Sequence, residues 1–149
     1  MYPEPLVAPM RQELTRLGVE ELRSAADVDA KLKDAPGTTL VVVNSVCGCA
    51  ARNARPAVAM ALQHAVKPDV ATTVFAGQDD DATRQARSYF VGYPPSSPAI
   101  GLLKDGKLVF MLERHDIEGR SAEQIAGDLK AAFDRYCGST PEVAIPTPT

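Results

Sequence analysis

The feature that most constrains this chain is the stretch Thr39-Leu40-Val41-Val42-Val43-Asn44-Ser45-Val46-Cys47-Gly48-Cys49-Ala50-Ala51-Arg52. Leu40 to Val43 form an unbroken apolar run rich in β-branched residues, which predicts a strand over Thr38 to Asn44. The run does not alternate, so both faces of the strand must be covered, as in the centre of a sheet with a layer on each side. After Asn-Ser and Cys-Gly-Cys the sequence turns alanine-rich and helical. Two thiols therefore sit between a buried strand and the first turn of a helix. The unpaired N–H groups and the positive dipole end found there both stabilise a thiolate. Thiol–disulfide exchange is the expected chemistry.

The flanking sequence fills in the layers. Met1 to Pro9 carries three prolines and reads as a loose arm; Met10, Leu14 and Leu17 then have helical spacing, with Gly18 as a stop. Val19 to Leu22 is long enough only for a short edge strand. Ser24 can cap a helix to about Lys33 with Val28 and Leu32 on one face. Ala50 to about Val66 reads as helix, with Pro56 kinking it. Val70 to Ala76 is a second apolar strand, and Asp79-Asp80-Asp81 supplies caps and favourable charge for a helix over Ala82 to Phe90. Gly92 to Pro98 is loop. Ala99 to Leu103 and Lys107 to Leu112 flank Lys104-Asp105-Gly106, a hairpin signal. Ser121 with Gln124 makes a capping box for a last helix ending near Cys137, with Ile125, Leu129, Ala132 and Phe133 on its apolar face. Residues 138–149 hold three prolines and little to bury, so a disordered tail is expected.

Strands joined by a helical crossover lie parallel, and a hairpin pair lies antiparallel. The order predicts a single α/β domain over 10–137, between the arm at 1–9 and the tail at 138–149. Its core is a mixed four- to five-stranded sheet with helices on both faces.

Charge and cysteine usage narrow the function. With 149 residues, a net charge of −3 and no basic block, the chain is not built for nucleic acid or an anionic membrane surface. No apolar run approaches the ~20 residues of a membrane span. The opening Met-Tyr-Pro-Glu-Pro lacks the regions of a signal peptide, so a cytoplasmic location is expected. Three cysteines, Cys47, Cys49 and Cys137, do not make a disulfide framework. In a reducing compartment the close pair reads as catalytic, redox or metal-binding.

Gly48 gives the backbone freedom to bring the two sulfurs together across one residue. A Cys-x-Cys disulfide closes a smaller ring than Cys-x-x-Cys, and the strain makes it easier to reduce. The first cysteine precedes the helix and should be the more exposed; the second lies in the first turn and should be more shielded. Arg52 and Arg55 follow closely and either favour the thiolate or are solvated helix charges. His115 is a proton shuttle near neutral pH or a solvated turn residue. His64 is a favourable charge at a helix end. Phe90 and Tyr93 either line a substrate surface or pack the core. Cys137 is a second resolving or dimerising thiol, or a spectator.

Asn-Ser-Val-Cys-Gly-Cys-Ala-Ala-Arg-Asn-Ala-Arg-Pro at 44–56 resembles the motif region of the bacilliredoxins, a branch of the thioredoxin superfamily. Ser96-Ser97-Pro98-Ala99-Ile100, Lys104-Asp105-Gly106, Leu112-Glu113-Arg114-His115 and Ile117-Glu118-Gly119-Arg120-Ser121 follow in the family's order, so the resemblance runs from about Met10 to Cys137. It implies a thioredoxin-like fold and an enzyme that removes bacillithiol, or a similar low-molecular-weight thiol, from mixed disulfides on client proteins. Cys47 would be the attacking thiol and Cys49 the resolving one, with no cofactor beyond that small thiol as co-substrate and no resident metal. Gly48, Ser97 and Pro98 are the implied substrate-binding residues. Ser97-Pro98 resembles the cis-proline site of that fold, where the backbone before the proline pairs with substrate; an ordinary turn is the alternative, with Pro94 and Pro95 nearby.

The chain departs from ordinary thioredoxins in having no tryptophan and no Trp-Cys-Gly-Pro-Cys. Leu40 to Val43 carries no buried carboxylate to accept a proton, which leaves water, Asn44 or a partner's thiol for that task. Beside a non-catalytic thioredoxin-like scaffold, two further functions stay open. One is a protein disulfide isomerase or general oxidoreductase. The other is a metal- or cluster-binding module that uses the soft thiolates, although a closed site wants about four ligands.

Overall fold

A computed structural model describes residues 1–137; the tail expected over 138–149 lies outside the described residues. The elements in chain order are α1 (Glu4–Thr15), β1 (Glu20–Glu21), α2 (Ala25–Leu32), β2 (Thr38–Asn44), a π-helical turn (Ala50–Ala54), α3 (Arg55–Ala61), β3 (Val70–Phe75), α4 (Asp80–Arg87), β4 (Ala99–Lys104), β5 (Lys107–Leu112), α5 (Arg114–Ile117) and α6 (Ala122–Tyr136). They build one five-stranded sheet in the order β1-β3-β2-β4-β5. β1 and β2 run parallel to β3, while β4 is antiparallel to both β2 and β5. This is the mixed α/β sheet expected, with five strands.

β2 sits in the middle, and every residue in it is buried. Leu40 and Val42 face a core shared with Leu14 of α1, Ala57 and Val58 of α3, and Ile125, Leu129 and Phe133 of α6. Val41 and Val43 face the opposite core, with Val28 and Leu32 of α2 and Ala82 and Ala86 of α4. The unbroken run thus supplies two cores at once. Each such side chain taken out of water contributes about 1.5–3 kcal/mol.

Several local signals act as their chemistry demands. Ser24 Oγ accepts the N–H of Asp27, and Ser121 and Gln124 close a reciprocal capping box. Asp105 and Gly106 both take positive φ, which the tight β4–β5 hairpin needs. Gly101 on β4 has no side chain because a Cβ there would lie 2.5 Å from the ring of Phe90. Phe90 is therefore a core residue, not a substrate contact.

Three expectations need correction. Residues 1–9 are not a loose arm: α1 begins at Glu4, and Val7 is fully buried. Proline is tolerated in a first helical turn, where the missing N–H would be unpaired anyway, so Pro3 and Pro5 start the helix. Tyr2 is also tied down, donating its N–H to Gln78 Oε1 at 2.9 Å and accepting from Gln78 Nε2 at 2.8 Å. The helix after the thiols ends at Ala61, short of Val66. Its opening is a π-turn in which the N–H of Arg55 donates to Ala50 O, and Pro56 falls in the first turn of α3. The wider turn passes the proline where a normal helix would lack a bond. Finally, α5 is an element that the sequence reading lacks; Glu113 and Asp116 cap it reciprocally. Among the described residues no helix is long and apolar enough to cross a membrane.

Candidate active site

The site forms where β2 ends. Asn44 is 2% exposed and knots three segments: Nδ2 donates to Met10 O, and Oδ1 accepts from Ser45 N–H at 2.9 Å and from Arg55 Nη1 at 2.9 Å. Arg55 also donates to Ser45 O at 2.9 Å and to Glu13 Oε1 at 3.0 Å. Arg55 is thus a buried strut under the loop rather than a charge beside the thiols, and Asn44 has its polar atoms engaged in the same frame. The guanidinium of Arg52 lies over Gly48, 2.6 Å from where a Cβ would stand. Its end is flexible, so a small side chain there would only displace it.

This frame holds Cys47 as a helix cap. Its carbonyl accepts the N–H groups of Ala50 and Ala51, both at 3.1 Å. Its sulfur stands against the N–H groups of Cys49 and Ala50 and lies 3.1 Å from Ser45 Oγ. Burial opposes ionisation of Cys47, but Ser45, the two N–H groups and the charge of Arg114 outweigh it and hold its pKa below that of an ordinary thiol. Cys49 goes the other way. Burial, the neighbouring Cys47 and the Glu118 carboxylate push it up, and its thiol donates to Glu118 Oε2 at 3.8 Å.

Both thiols are free and half-buried. The expected difference in exposure does not separate them. The cap position points the Cys47 sulfur inward at the N–H groups, whereas Cys49 points toward α5. What separates the two thiols is stabilisation of the thiolate.

α5 delivers both charged neighbours: Arg114 at its start acts on Cys47, and Glu118 just past its end meets Cys49. Neither stands out in the sequence, where His115 is the more conspicuous residue. His115 is 73% exposed and lies beside Glu113 and Asp116. The Glu113-x-x-Asp116 capping box is the available signal, and it is a weak one because glutamate is a poor N-cap.

The Ser97–Pro98 peptide bond is cis. Pro98 is buried, whereas Pro94 and Pro95 are exposed. Ser97 O accepts from Arg114 Nη1 at 3.1 Å, and Ser96 Oγ accepts the N–H of Arg114 at 3.3 Å. The loop and α5 are thereby fastened together beside the thiols. Ser97 and Cys47 line one cleft of about 380 Å³ with Tyr2, Ser45, Arg87 and Arg114. Tyr93 lies elsewhere, in a groove beside β5. Cys137 ends α6 near Thr38, the opposite end of β2. Seven residues of strand at ~3.3 Å each put it about 20 Å from Cys47, so it neither resolves that thiol nor joins it as a ligand. His64 pairs with Asp134 at 2.9 Å, joining α3's end to α6.

Alkylation by iodoacetamide across a pH series is expected to label Cys47 with an inflection below that of an ordinary cysteine. Cys49 should react only at higher pH. Ser45→Ala removes one hydrogen bond to the thiolate and should move the Cys47 inflection upward, read by mass spectrometry of each peptide. An unmoved inflection would mean that Ser45 does not hold the thiolate.

Comparison with known proteins gives a consistent picture. The family described as disulphide isomerase matches residues 2–137. A bacilliredoxin of Koribacter versatilis is 58% identical over 140 residues, covering 94% of this chain and 97% of its own. A bacilliredoxin of Geobacillus kaustophilus is 56% identical over 132 residues, covering 89% and 90%. Among solved structures, the thioredoxin of Fasciola hepatica aligns with a TM-score of 0.53 at 21% identity, covering 79% of this chain and 99% of its own. A putative oxidoreductase with a thioredoxin fold aligns with a TM-score of 0.56 at 18% identity, covering 72% and 92%. These two establish the fold.

Proposed function

Because the chain belongs to the bacilliredoxin family and is a thiol–disulfide oxidoreductase of thioredoxin fold, we propose that it removes bacillithiol, or a similar low-molecular-weight thiol, from mixed disulfides on client proteins. Cys47 is the nucleophile and Cys49 the resolving thiol. The observation that carries this reading is the opposite tuning of the two sulfurs, one toward thiolate and one toward thiol.

The Cys47 thiolate attacks the sulfur of the small thiol in the mixed disulfide. A Cys47–small-thiol disulfide forms, and the client leaves as its thiolate. Cys49 then gives up its proton, for which Glu118 is the nearby acceptor, and attacks Cys47 Sγ. The small thiol leaves as thiolate and the Cys47–Cys49 disulfide remains. A two-electron dithiol reductant returns both cysteines to thiols. Alternatively, a second small thiol attacks the mixed disulfide on Cys47 and leaves as its symmetrical disulfide. Arg114 stabilises the attacking thiolate, and the Ser97–Pro98 loop forms the facing wall of the cleft. Reducing conditions such as those of the cytoplasm suit this cycle.

The description of the matched family favours a second reading, disulfide isomerisation. A Cys49→Ala variant separates the two when mixed with a carrier protein bearing a bacillithiol mixed disulfide and followed by intact mass. Bacillithiol leaving the carrier and appearing on Cys47 is the expected result. Cys47 left linked to the carrier, or an untouched adduct while ordinary protein disulfides react, would favour isomerisation. No reaction with either would remove the redox reading.

A further inference from the structure

The cleft beside Cys47 holds two guanidinium groups in an otherwise acidic protein. Arg114 is partly answered, since it donates to Ser97 O and stands 3.5 Å from Glu118. Arg87, the last residue of α4, is different. Its Nη2 donates to Ser96 O at 3.2 Å, but its Nε is buried with no acceptor, and it has no ion-pair partner among the described residues. Asp80, at the other end of α4, acts on it only through its charge. A guanidinium keeps its proton at any physiological pH, so Arg87 is a half-buried cation whose Nε is closed off and whose unused donors toward the cleft are those of Nη1 and Nη2.

Such a group is costly unless something answers it. Holding the loop through one carbonyl uses one donor of five, and a lysine or glutamine would do that without a buried Nε. Arg87 is also the wall shared with a second cleft of about 320 Å³, lined by Gly77, Asp80, Thr83, Arg84 and Pro95. Arg87 and Gly77 thus stand between the cleft beside Cys47 and this second one. The size of each suits a small molecule rather than a folded chain. A planar fork of donors fits a carboxylate in particular.

We propose that Arg87, with Arg114, forms an anion subsite that selects low-molecular-weight thiols bearing a carboxylate and holds their sulfur against Cys47. This rests on the de-thiolation reading above and names the chemical class of small thiol it acts on. Arg87 is a specificity residue: it binds the half of the mixed disulfide that moves to Cys47, not the client.

The test uses the full chain and one neutral carrier protein carrying, in turn, a mixed disulfide with 3-mercaptopropionate, 2-mercaptoethanol or cysteamine. The quantity read is the ratio of kcat/KM for the anionic adduct to that for the neutral one, corrected for each adduct's rate with dithiothreitol. A charge-assisted contact predicts a ratio of about tenfold or more in the natural chain, with the cationic adduct slowest. Arg87→Gln should lower the ratio severalfold, to the part that Arg114 supplies, and Arg87→Lys should keep more of it. Raising sodium chloride should lower the ratio in the natural chain, a measurement that needs no variant.

A ratio unchanged by Arg87→Gln would overturn the proposal. So would a loss of rate in that variant that follows an acidic carrier peptide and ignores the small thiol, which would give the anion to the client. If the natural chain takes the small thiol from none of the three adducts, the de-thiolation reading itself fails. Transfer from all three at equal corrected rates overturns the subsite alone.

Discussion

Replacing Cys47 with serine is expected to lower small-thiol transfer by about four orders of magnitude or more, to the uncatalysed background. At neutral pH a serine hydroxyl is essentially never ionised, so the groups that stabilise the Cys47 thiolate have no anion to stabilise. Cys49→Ser should differ in kind. It should still accept the small thiol onto Cys47 and then stall, with turnover returning when excess free small thiol is supplied. The fold should tolerate Cys47→Ser, because serine is a preferred helix cap and its oxygen can accept the same N–H groups. Thermal melts should therefore agree within about 0.5 kcal/mol, which assigns the lost rate to chemistry. Full activity in Cys47→Ser with loss in Cys49→Ser would exchange the two roles.

Arg11→Met is expected to carry the largest stability cost outside the two cores, about 3 kcal/mol in urea unfolding. Arg11 is 5% exposed and meets Glu4, Glu21 and Asp79, each at 2.7 Å, with its guanidinium 5.2 Å from the centre of the Phe75 ring. Without it, three carboxylates face one another, and Asp79 is almost fully enclosed. Arg23 stands 3.5 Å from Asp79 and 3.6 Å from Glu4, which limits the damage. Acidification should act on the same cluster. The hydrogen bond from Arg11, then that from Gln78, holds the Glu4 carboxyl below its ordinary value of 4.5. Between the two values the unfolded chain binds more protons, so this contribution is full above about pH 4.5 and is lost as pH falls through the lower folded value. The natural chain should show that slope below pH 4.5, and Arg11→Met should show a shallower one, since Gln78 and Arg23 remain. An equal slope in both would place the proton uptake elsewhere. The cluster also bears on the site: Gln78, which donates to Glu4 at 2.9 Å, holds Tyr2 at the cleft.

What is legible in the sequence and what is not divide by the range of the interactions involved. The β2 run, the Ser24 and Ser121 caps and the Asp105-Gly106 turn act within a few residues, and each takes the structure its residues predict. The N-terminal helix is harder to read, because prolines at positions 3, 5 and 9 suggest an arm. Val7, Arg11 and Leu14 carry the helical period across Pro9, and prolines at a helix start are no obstacle. Cys47, Cys49 and the Ser97–Pro98 loop stand out in the sequence as motifs, and the fold brings Cys47 and Ser97 to one cleft.

The sequence by itself determined a central strand buried on both faces and two thiols at its helical exit, because strand period, β-branching and helix capping are properties of neighbouring residues. Only the tertiary structure brought the charged neighbours of the two thiols and the burial that acts on them. Ser45 and the N–H groups of Cys49 and Ala50 favour Cys47 locally, and burial and Cys47 itself disfavour Cys49; Arg114 and Glu118, brought by a four-residue helix some seventy positions away, widen the difference. The tertiary structure also decided that Arg87 is a half-buried cation on the cleft wall. Charge and burial act through space, and the distances that set them exist only once the chain has folded.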